Sequence, residues 1–120
     1  MSSNIKEVFG AGLRSRVAVY VPGTMGPATV DAAAADAMTA ATAGRLSEMF
    51  GGATISIAAG AWMSGEFGLI REQITIVYSY CTDEQLEQHA ADVRELAEQI
   101  KRDMQQESVS VEINGALYFI

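Results

Sequence analysis

The residue types best able to do chemistry in this chain lie in one stretch, GAWMSGEFGLIREQITIVYSYC. It contains Trp62, Glu66, Arg71 and Glu72 within eleven positions. An indole, two carboxylates and a guanidinium can together hold an anion or a base in a small polar pocket. These four residues are therefore the predicted ligand-binding residues. The structural alternative is that Trp62 anchors a core or dimer contact and that Arg71 and Glu72 lie at a strand edge.

The single Cys and the single His offer a second possible chemistry, nucleophilic catalysis. Cys81 directly precedes a predicted helix, whose N-terminus favours a thiolate. His89 follows eight residues later, about 12 Å along a helix, which is beyond hydrogen-bond reach. We interpret Cys81 as a small buried hydrophobe and His89 as a half-buried helix flank. One Cys and one His cannot form a zinc site within a protomer, and we expect neither a metal nor a cofactor.

The elements that must position these residues follow from the spacing of the apolar side chains. Alternation with period two predicts strands, and steps of three and four predict helices. Strands are predicted at Arg16–Pro22, Ala53–Met63 and Leu69–Cys81, with a final hairpin around Asn114–Gly115, and helices at Val30–Phe50 and Thr82–Glu107. Thr82 and Gln85 fit a capping box at the start of the second helix.

This succession of elements predicts an α+β fold. The order β-α-β-β-α-β with a C-terminal β-hairpin is that of a ferredoxin-like plait, in which two helices cover one face of an antiparallel sheet. Residues 1–15 are predicted to be an N-terminal arm, and residues 16–120 a single ferredoxin-like domain. The length of 120 residues is enough for one hydrophobic core.

A plait with two helices leaves the other sheet face open, and this face is predicted to be partly apolar. The candidates are Tyr20, Val77, Leu117 and Phe119. Exposed apolar patches usually mark an interface, so we expect a homodimer packed through this face. The alternative is that the N-terminal arm covers it with Ile5, Val8, Phe9 and Leu13.

Alternation along the strand also separates the candidate site residues. Neighbouring residues of a strand point to opposite faces. Arg71 is therefore assigned to the open face, at the margin of the dimer contact. Glu72 is assigned to the helix side together with Trp62, where it can pair with Arg45 or Arg94.

The charge balance limits the partners. A net charge of −7 disfavours direct nucleic-acid binding, which depends on neutralising phosphates, and it leaves a protein partner with a basic surface open. The sequence shows no signal peptide and no apolar run long enough for a membrane span. We expect a cytoplasmic protein.

The second half of the chain resembles a class of short bacterial and phage proteins without an established activity. The shared features are a GxW strand, a glycine turn, a basic-Glu step and a QESV segment. Here they are Gly60, Trp62, Gly68, Arg71–Glu72 and 106–109. The resemblance implies the ferredoxin-like architecture.

Two function classes follow. The favoured one is a small acidic binding protein without enzymatic activity, which docks on a protein partner or sequesters a small ligand. By analogy with small phage proteins, it could inhibit host defence. The other is a small dimeric ferredoxin-like enzyme, of the monooxygenase or isomerase kind, with a cleft between sheet and helices.

Overall fold

A computed structural model describes residues 3–27 and 29–120, and over these residues the chain forms three helices and seven strands. The helices are α1 (Ser3–Phe9), α2 (Ala32–Phe50) and α3 (Asp83–Asp103). The strands are β1 (Ser15–Pro22), β2 (Thr24–Met25), β3 (Thr29–Val30), β4 (Thr54–Ser64), β5 (Gly68–Cys81), β6 (Ser110–Ile113) and β7 (Ala116–Phe119). The predicted α+β class with an antiparallel sheet is confirmed. The helix α1 and the small β2–β3 ribbon are additions that the sequence did not predict.

The main sheet has five antiparallel strands in the order β4-β5-β1-β6-β7. The central strand β1 pairs with β5 on one side and with β6 on the other. β4 and β5 form a long hairpin in which Thr54 pairs with Tyr78 and Ser64 with Gly68. β1 reaches only as far as Ile74 along β5, so the tip of this hairpin extends beyond the rest of the sheet.

The core lies between this sheet and the two long helices. Val17, Val19 and Val21 of β1 are at most 1 % exposed and pack in one apolar cluster with residues of both helices. The helix side chains in that cluster are Leu46, Phe50, Val93, Leu96, Ala97 and Ile100. Apolar side chains thus fill the space between the centre of the sheet and the two helices.

The register of β5 overturns one assignment to the open face. Val77 pairs directly with Val19, and directly opposed residues share a face. Val77 is 0 % exposed and belongs to the core cluster, so its assignment to a dimer face is wrong. Thr75 and Ser79 share this helix side, while Ile76 and Tyr78 lie on the open side. The open-side face of β5 is the more apolar one, with Ile74, Ile76 and Tyr78, so alternation alone placed that face against the helices.

The open face is partly covered by its own side chains. The Arg16 guanidinium lies 4.1 Å from the centre of the Tyr78 ring, and its Nε is 3.7 Å from Glu112. Tyr20, Leu117 and Phe119 do lie on this face, as predicted. Of these, Phe119 is the most exposed, at 71 %.

The N-terminal arm does not fold over the sheet. Residues 4–14 are all exposed, including the four apolar residues expected to cover the open face: Ile5, Val8, Phe9 and Leu13. The prediction that these side chains pack on the open face is therefore wrong.

Local signals fix the ends of the long helices. Thr82 caps α3, its hydroxyl accepting from the Gln85 amide while the Gln85 side chain accepts from the Thr82 amide, so the predicted capping box is confirmed. The Asp31 carboxylate caps α2 by accepting from the Ala34 amide at 3.0 Å. Gly51, in a left-handed conformation with φ 92°, ends α2, because glycine adopts this region without a steric cost.

Along the described parts of the chain, no helix combines the length and the apolarity needed to cross a membrane. The cytoplasmic location stays a prediction.

A close backbone contact joins the end of β1 to β5. A Cβ placed on Gly23 would lie 2.6 Å from the Gln73 carbonyl oxygen, a distance that forces one backbone to move. Gly44, in the middle of α2, has no heavy atom within 4 Å of the corresponding point. Glycine is therefore required at position 23 and not at position 44.

We predict that Gly23→Ala lowers the free energy of unfolding by about 1–3 kcal/mol, the usual range for forcing atoms into a filled space. Gly44→Ala should raise it by roughly 0.5–1 kcal/mol, because alanine favours a helix. Urea titration of both variants measures the two effects. Equal stability of the Gly23→Ala variant and the parent would contradict the assigned contact.

Candidate functional site

A hollow of about 440 Å³ opens on the sheet face away from α2 and α3. Its walls combine acidic, aromatic and hydroxyl side chains. The lining residues are Tyr20, Pro22, Pro27, Gly60, Trp62, Glu72, Ile74 and 106–110. We call it the first hollow. It is the place in the described structure where two carboxylates and two aromatic side chains line the same space.

The β4–β5 hairpin positions Trp62 and Glu72 in this hollow. Gly60 pairs with Glu72, and Trp62 pairs with Ile70, so Gly60, Trp62 and Glu72 share the open face. A Cβ on Gly60 would lie 3.5 Å from Glu72 Cγ, which shows that the glutamate side chain lies against the bare backbone of Gly60. In the GxW segment, Gly60 thus leaves space for the Glu72 side chain, and Trp62 places its indole on the same face.

The predicted faces of Arg71 and Glu72 are therefore exchanged. Glu72 lies on the open face and Arg71 on the helix side, because the pairing of β5 with β1 sets the opposite alternation. The expected ion pair of Glu72 with a helix arginine is wrong. Arg94 instead lies 3.7 Å from Glu98 on its own helix. The expectation that Trp62 and Glu72 share a side is confirmed.

The opposite wall is the segment between α3 and β6, which a single amide holds in place. Gln106 Nε2 donates to the carbonyl oxygens of Thr24 at 2.9 Å, Gly26 at 3.1 Å and Met104 at 2.9 Å. The Gly26 amide donates to the same Met104 oxygen at 2.8 Å. These bonds tie the β2 loop to the end of α3. They fix the backbone that carries Glu107 and Ser108 to the hollow.

A second hollow, of about 480 Å³, adjoins the first and shares Pro27, Trp62 and Glu72 with it. Its wall is mainly apolar, from Val30, Phe67 and Ile70. Arg71 also lines it and is the one basic side chain among its described lining residues. Trp62 and Glu72 thus lie between the acidic first hollow and the mainly apolar second hollow, which Arg71 also lines.

The first hollow favours a cationic ligand. Among its described lining residues there are two carboxylates, Glu72 and Glu107, and no Lys, Arg or His. Trp62 is 53 % exposed, so its ring face is available, and an indole face attracts cations through its quadrupole. Carboxylates and an aromatic face without a competing base select a positive charge.

Three of the four predicted site residues come together here. Trp62 and Glu72 line both hollows, and Arg71 lines the second. Glu66 lies in the turn of the hairpin, where its amide donates to Ser64 Oγ at 3.2 Å, and it lines neither hollow. Tyr20, expected at a dimer face, is instead a wall of the first hollow.

Sequence reasoning missed Glu107 and its neighbours Gln106, Ser108 and Ser110. The available signal was the QESV segment, which accompanies the GxW strand and the Arg-Glu step in the resemblance. This segment lines the hollow only because Glu107 comes near Glu72, which lies more than thirty positions earlier in the chain. The periodicity of apolar residues does not reveal contacts between such distant segments.

The Cys and the His lie outside the two hollows. Cys81 is fully buried in the core, and this burial, followed by the charge of Asp83, raises the pKa of its thiol, so it is not an activated nucleophile. His89 Nδ1 lies 2.9 Å from Asp92 Oδ2, and its ring meets the edge of Phe50. Across residues 3–27 and 29–120, no three His, Cys, Asp or Glu side chains are grouped to hold a metal ion.

Comparison with solved structures finds the fold of this chain in a phage SAM lyase. The apo structure of that enzyme has a TM-score of 0.64 and is 21 % identical, over 92 % of this chain and 90 % of that chain. Its complex with S-methyl-5′-thioadenosine gives a TM-score of 0.62 and 19 % identity, over 92 % and 91 %. At this identity, the likeness shows a shared α+β fold.

A scan against protein-family models gives no match, and neither does a search of curated protein sequences. The favoured prediction of a non-enzymatic binding protein is wrong, since the neighbours that share the fold are structures of an enzyme. The alternative of a monooxygenase or isomerase stays a prediction. The homodimer and the basic protein partner stay predictions.

We predict that Gln106→Met lowers the free energy of unfolding by about 1–3 kcal/mol, because the three hydrogen bonds from this side-chain amide to backbone carbonyls are lost. Amide hydrogen exchange of residues 23–26 should also become faster. Gln99→Met is the matched control, since Gln99 is exposed on α3. If both variants show the same stability and exchange, the Gln106 amide does not hold the loop.

Proposed function

We propose that this protein is a lyase that acts on S-adenosylmethionine and releases S-methyl-5′-thioadenosine. The observation that carries the proposal is the first hollow, where Glu72, Glu107 and Trp62 surround a space without a basic residue. The fold is shared over 92 % of the chain with a SAM lyase, and this supports the same conclusion.

The chemistry of the substrate fits the two hollows. S-adenosylmethionine carries a sulfonium cation, an amino-acid group and an adenine with flat aromatic faces. The sulfonium and the ammonium match the carboxylates of the first hollow. The apolar wall of the second hollow offers contacts for a flat base or a methyl group, and Arg71 there can pair with the substrate carboxylate. Each hollow lies within the size range of small-molecule sites.

The reaction breaks the bond between sulfur and the amino-acid side chain. The electron pair of that bond goes to sulfur, which becomes a neutral thioether in S-methyl-5′-thioadenosine. A lyase adds no water, so the four-carbon fragment must complete its own valence. It does so either by attack of its carboxylate oxygen on the released carbon, which forms a lactone, or by transfer of a proton from the neighbouring carbon to a carboxylate of the site, which forms a carbon–carbon double bond.

The acidic hollow assigns a role to its carboxylates in this reaction. Glu72 and Glu107 stabilise the positively charged substrate, and this attraction is lost when the sulfur becomes neutral. They therefore capture the substrate and favour release of the thioether product. Trp62 and Tyr20 hold the sulfonium region through their ring faces, a contact worth about 0.5–2 kcal/mol.

The proposal also includes the exact topology of the fold and the source of the protein. The strand order of the main sheet supports a ferredoxin-like plait extended by the β6–β7 hairpin, with α1 and the β2–β3 ribbon added. The phage source of both structural neighbours supports a phage origin.

We predict that the purified protein converts S-adenosylmethionine to S-methyl-5′-thioadenosine, detected by mass spectrometry. Glu72→Gln and Glu107→Gln should each lower kcat/KM about tenfold or more, since a lost charge contact of ~1.4 kcal/mol is a factor of ten. Glu87→Gln, exposed on α3, should keep full activity. The proposal fails if the parent protein forms no S-methyl-5′-thioadenosine.

We further predict that the two carboxylates distinguish substrate from product by charge. In either Glu-to-Gln variant the affinity for neutral S-methyl-5′-thioadenosine should change less than threefold, while binding of a sulfonium ligand falls about tenfold. Fluorescence of Trp62, the one Trp of the chain, reports both titrations. Equal losses for the two ligands would show that the carboxylates act through shape and not through charge.

A further inference from the structure

The second hollow lies beside a strand edge that no other strand covers. β1 pairs with β5 only as far as Pro22 and Ile74, whereas β5 extends back to Gly68. Across residues 3–27 and 29–120, no other strand takes the place of β1 beside residues 69–73. We call these residues, on the side where β1 is missing, the β5 edge. Such an edge presents backbone N–H and C=O groups that have no partner within the sheet.

The hydrogen bonds of the sheet show which residues direct their backbone groups to this edge. In an antiparallel sheet, the N–H and C=O of one residue point to the same neighbouring strand, and consecutive residues alternate. The Asn114 amide donates to the Arg16 carbonyl oxygen at 3.1 Å, so Arg16 faces β6 and the next residue, Val17, faces β5. Val17 pairs with Ser79. Steps of two along the unbroken register from Ser79 lead to Arg71, whose N–H and C=O therefore point to the β5 edge.

Two glycine contacts give the same assignment independently. The point where a Cβ on Gly23 would lie is 2.6 Å from the Gln73 carbonyl oxygen and 3.6 Å from its carbon, so this carbonyl points toward the end of β1. A Cβ on Gly60 would lie 3.8 Å from the Glu72 carbonyl oxygen, which therefore points toward β4. Residues 71 and 73 thus direct their backbone groups to the β1 side, and residue 72 directs its groups to β4.

The second hollow occupies the space that β1 leaves free. Residues 70–73 of β5 line one side of it, and the turn after β1 lines the other with Gly23, Thr24 and Pro27. Apolar side chains and the Trp62 indole border the same space. The hollow therefore combines backbone donors and acceptors on one edge with apolar surfaces around them, which suits a flat heteroaromatic ring. The Arg71 guanidinium leaves from the helix side of the strand, apart from the N–H of the same residue.

We propose that the β5 edge reads the adenine of the substrate. The Arg71 N–H donates to a ring nitrogen of the base, and a carbonyl oxygen of the same edge accepts from the 6-amino group. This inference rests on the proposed lyase function and names the part of the chain that selects the base. Adenine carries its amino donor beside a ring nitrogen that accepts, and this pattern is complementary to a carbonyl and an N–H on one strand edge. A 6-oxo base would instead bring an oxygen against the carbonyl.

The place of the β5 edge relative to the carboxylates fits the covalent structure of the substrate. In S-adenosylmethionine, one ribose separates the adenine from the sulfonium. Pro27, Trp62 and Glu72 line both hollows, so a base in the second hollow leaves the ribose at their boundary and the sulfur beside Glu72. The two hollows then select different features of one molecule. The carboxylates of the first distinguish the charge on sulfur, and the β5 edge in the second distinguishes the base.

The first test changes the base and leaves the protein as it is. S-methyl-5′-thioinosine differs from S-methyl-5′-thioadenosine by a 6-oxo group in place of the 6-amino group and by a proton on N1. Both compounds are neutral, so the carboxylates do not distinguish them. We expect the parent protein to bind the adenine compound at least tenfold more tightly, measured by the fluorescence of Trp62. Equal affinities for the two compounds would overturn the inference.

The second test removes the backbone donor. Arg71→Pro loses both the N–H and the guanidinium, and Arg71→Ala, the matched control, loses the guanidinium alone. A strand tolerates proline where its N–H faces no partner strand, so the variant should fold, which circular dichroism checks. S-methyl-5′-thioadenosine has no carboxylate, so Arg71→Ala should change its affinity less than threefold. Arg71→Pro should lower that affinity about tenfold and reduce the preference for adenine over hypoxanthine to less than threefold.

The results separate this inference from the lyase function. Equal binding of both compounds by the Arg71→Pro and Arg71→Ala variants would show that the Arg71 N–H does not read the base. If the proline variant does not fold, the comparison of the two compounds on the parent protein still decides. A parent that forms S-methyl-5′-thioadenosine without preferring the adenine compound would overturn the adenine subsite and leave the lyase function intact. A clear preference without turnover would support the subsite and overturn the lyase function.

Discussion

The central strand β1 imposes the constraint on which the rest of the molecule depends. It is paired on both edges, and Val17, Ala18 and Val19 are all 0 % exposed, so both of its faces must be covered. The two long helices cover the valine face. On the other face, large side chains from neighbouring strands surround Ala18, whose small size leaves room for them. Where β1 ends at Pro22, the chain must turn against Gln73, and only the glycine at position 23 permits that approach. This turn leads directly into the loop that borders the first hollow.

The sequence predicted the elements of this fold better than their faces. Alternation located β1, β4 and β5, and the Thr82–Gln85 box marked the start of α3. The error in β5 has a physical origin, because its bulkier apolar side chains, Ile74, Ile76 and Tyr78, lie on the open face and not beneath the helices. Its small residues Val77 and Ser79 are the ones beneath the helices, and Ser79 donates to the Gly52 carbonyl at the end of α2. The choice depends on partners distant in sequence, and a single strand does not contain this information.

Only the part of the candidate site that lies within one hairpin could be predicted from the sequence. Trp62 and Glu72 share a strand pair, so a hairpin prediction was enough to bring them together. Glu107 belongs to a different part of the chain, and its place depends on how Gln106 binds the carbonyls of the β2 loop. The position of one wall of the candidate site is thus set by hydrogen bonds from the Gln106 side chain to backbone carbonyls. A strongly acidic chain is ordinarily explained by solubility, but here two of its carboxylates line one concave surface.

The pairing of β1 also constrains how the chain can fold during synthesis. Arg16 and Asn114 are 98 positions apart, yet the Asn114 side chain accepts from the Arg16 amide. The ribosome makes β1 early and its second partner, β6, only after most of the sheet and both long helices exist. Until then one edge of the most apolar strand stays open, and such edges are templates for incorrect pairing with other nascent chains. The contacts between distant segments also imply slow folding. The protein should therefore depend on its rate of synthesis and on chaperones more than its modest length suggests.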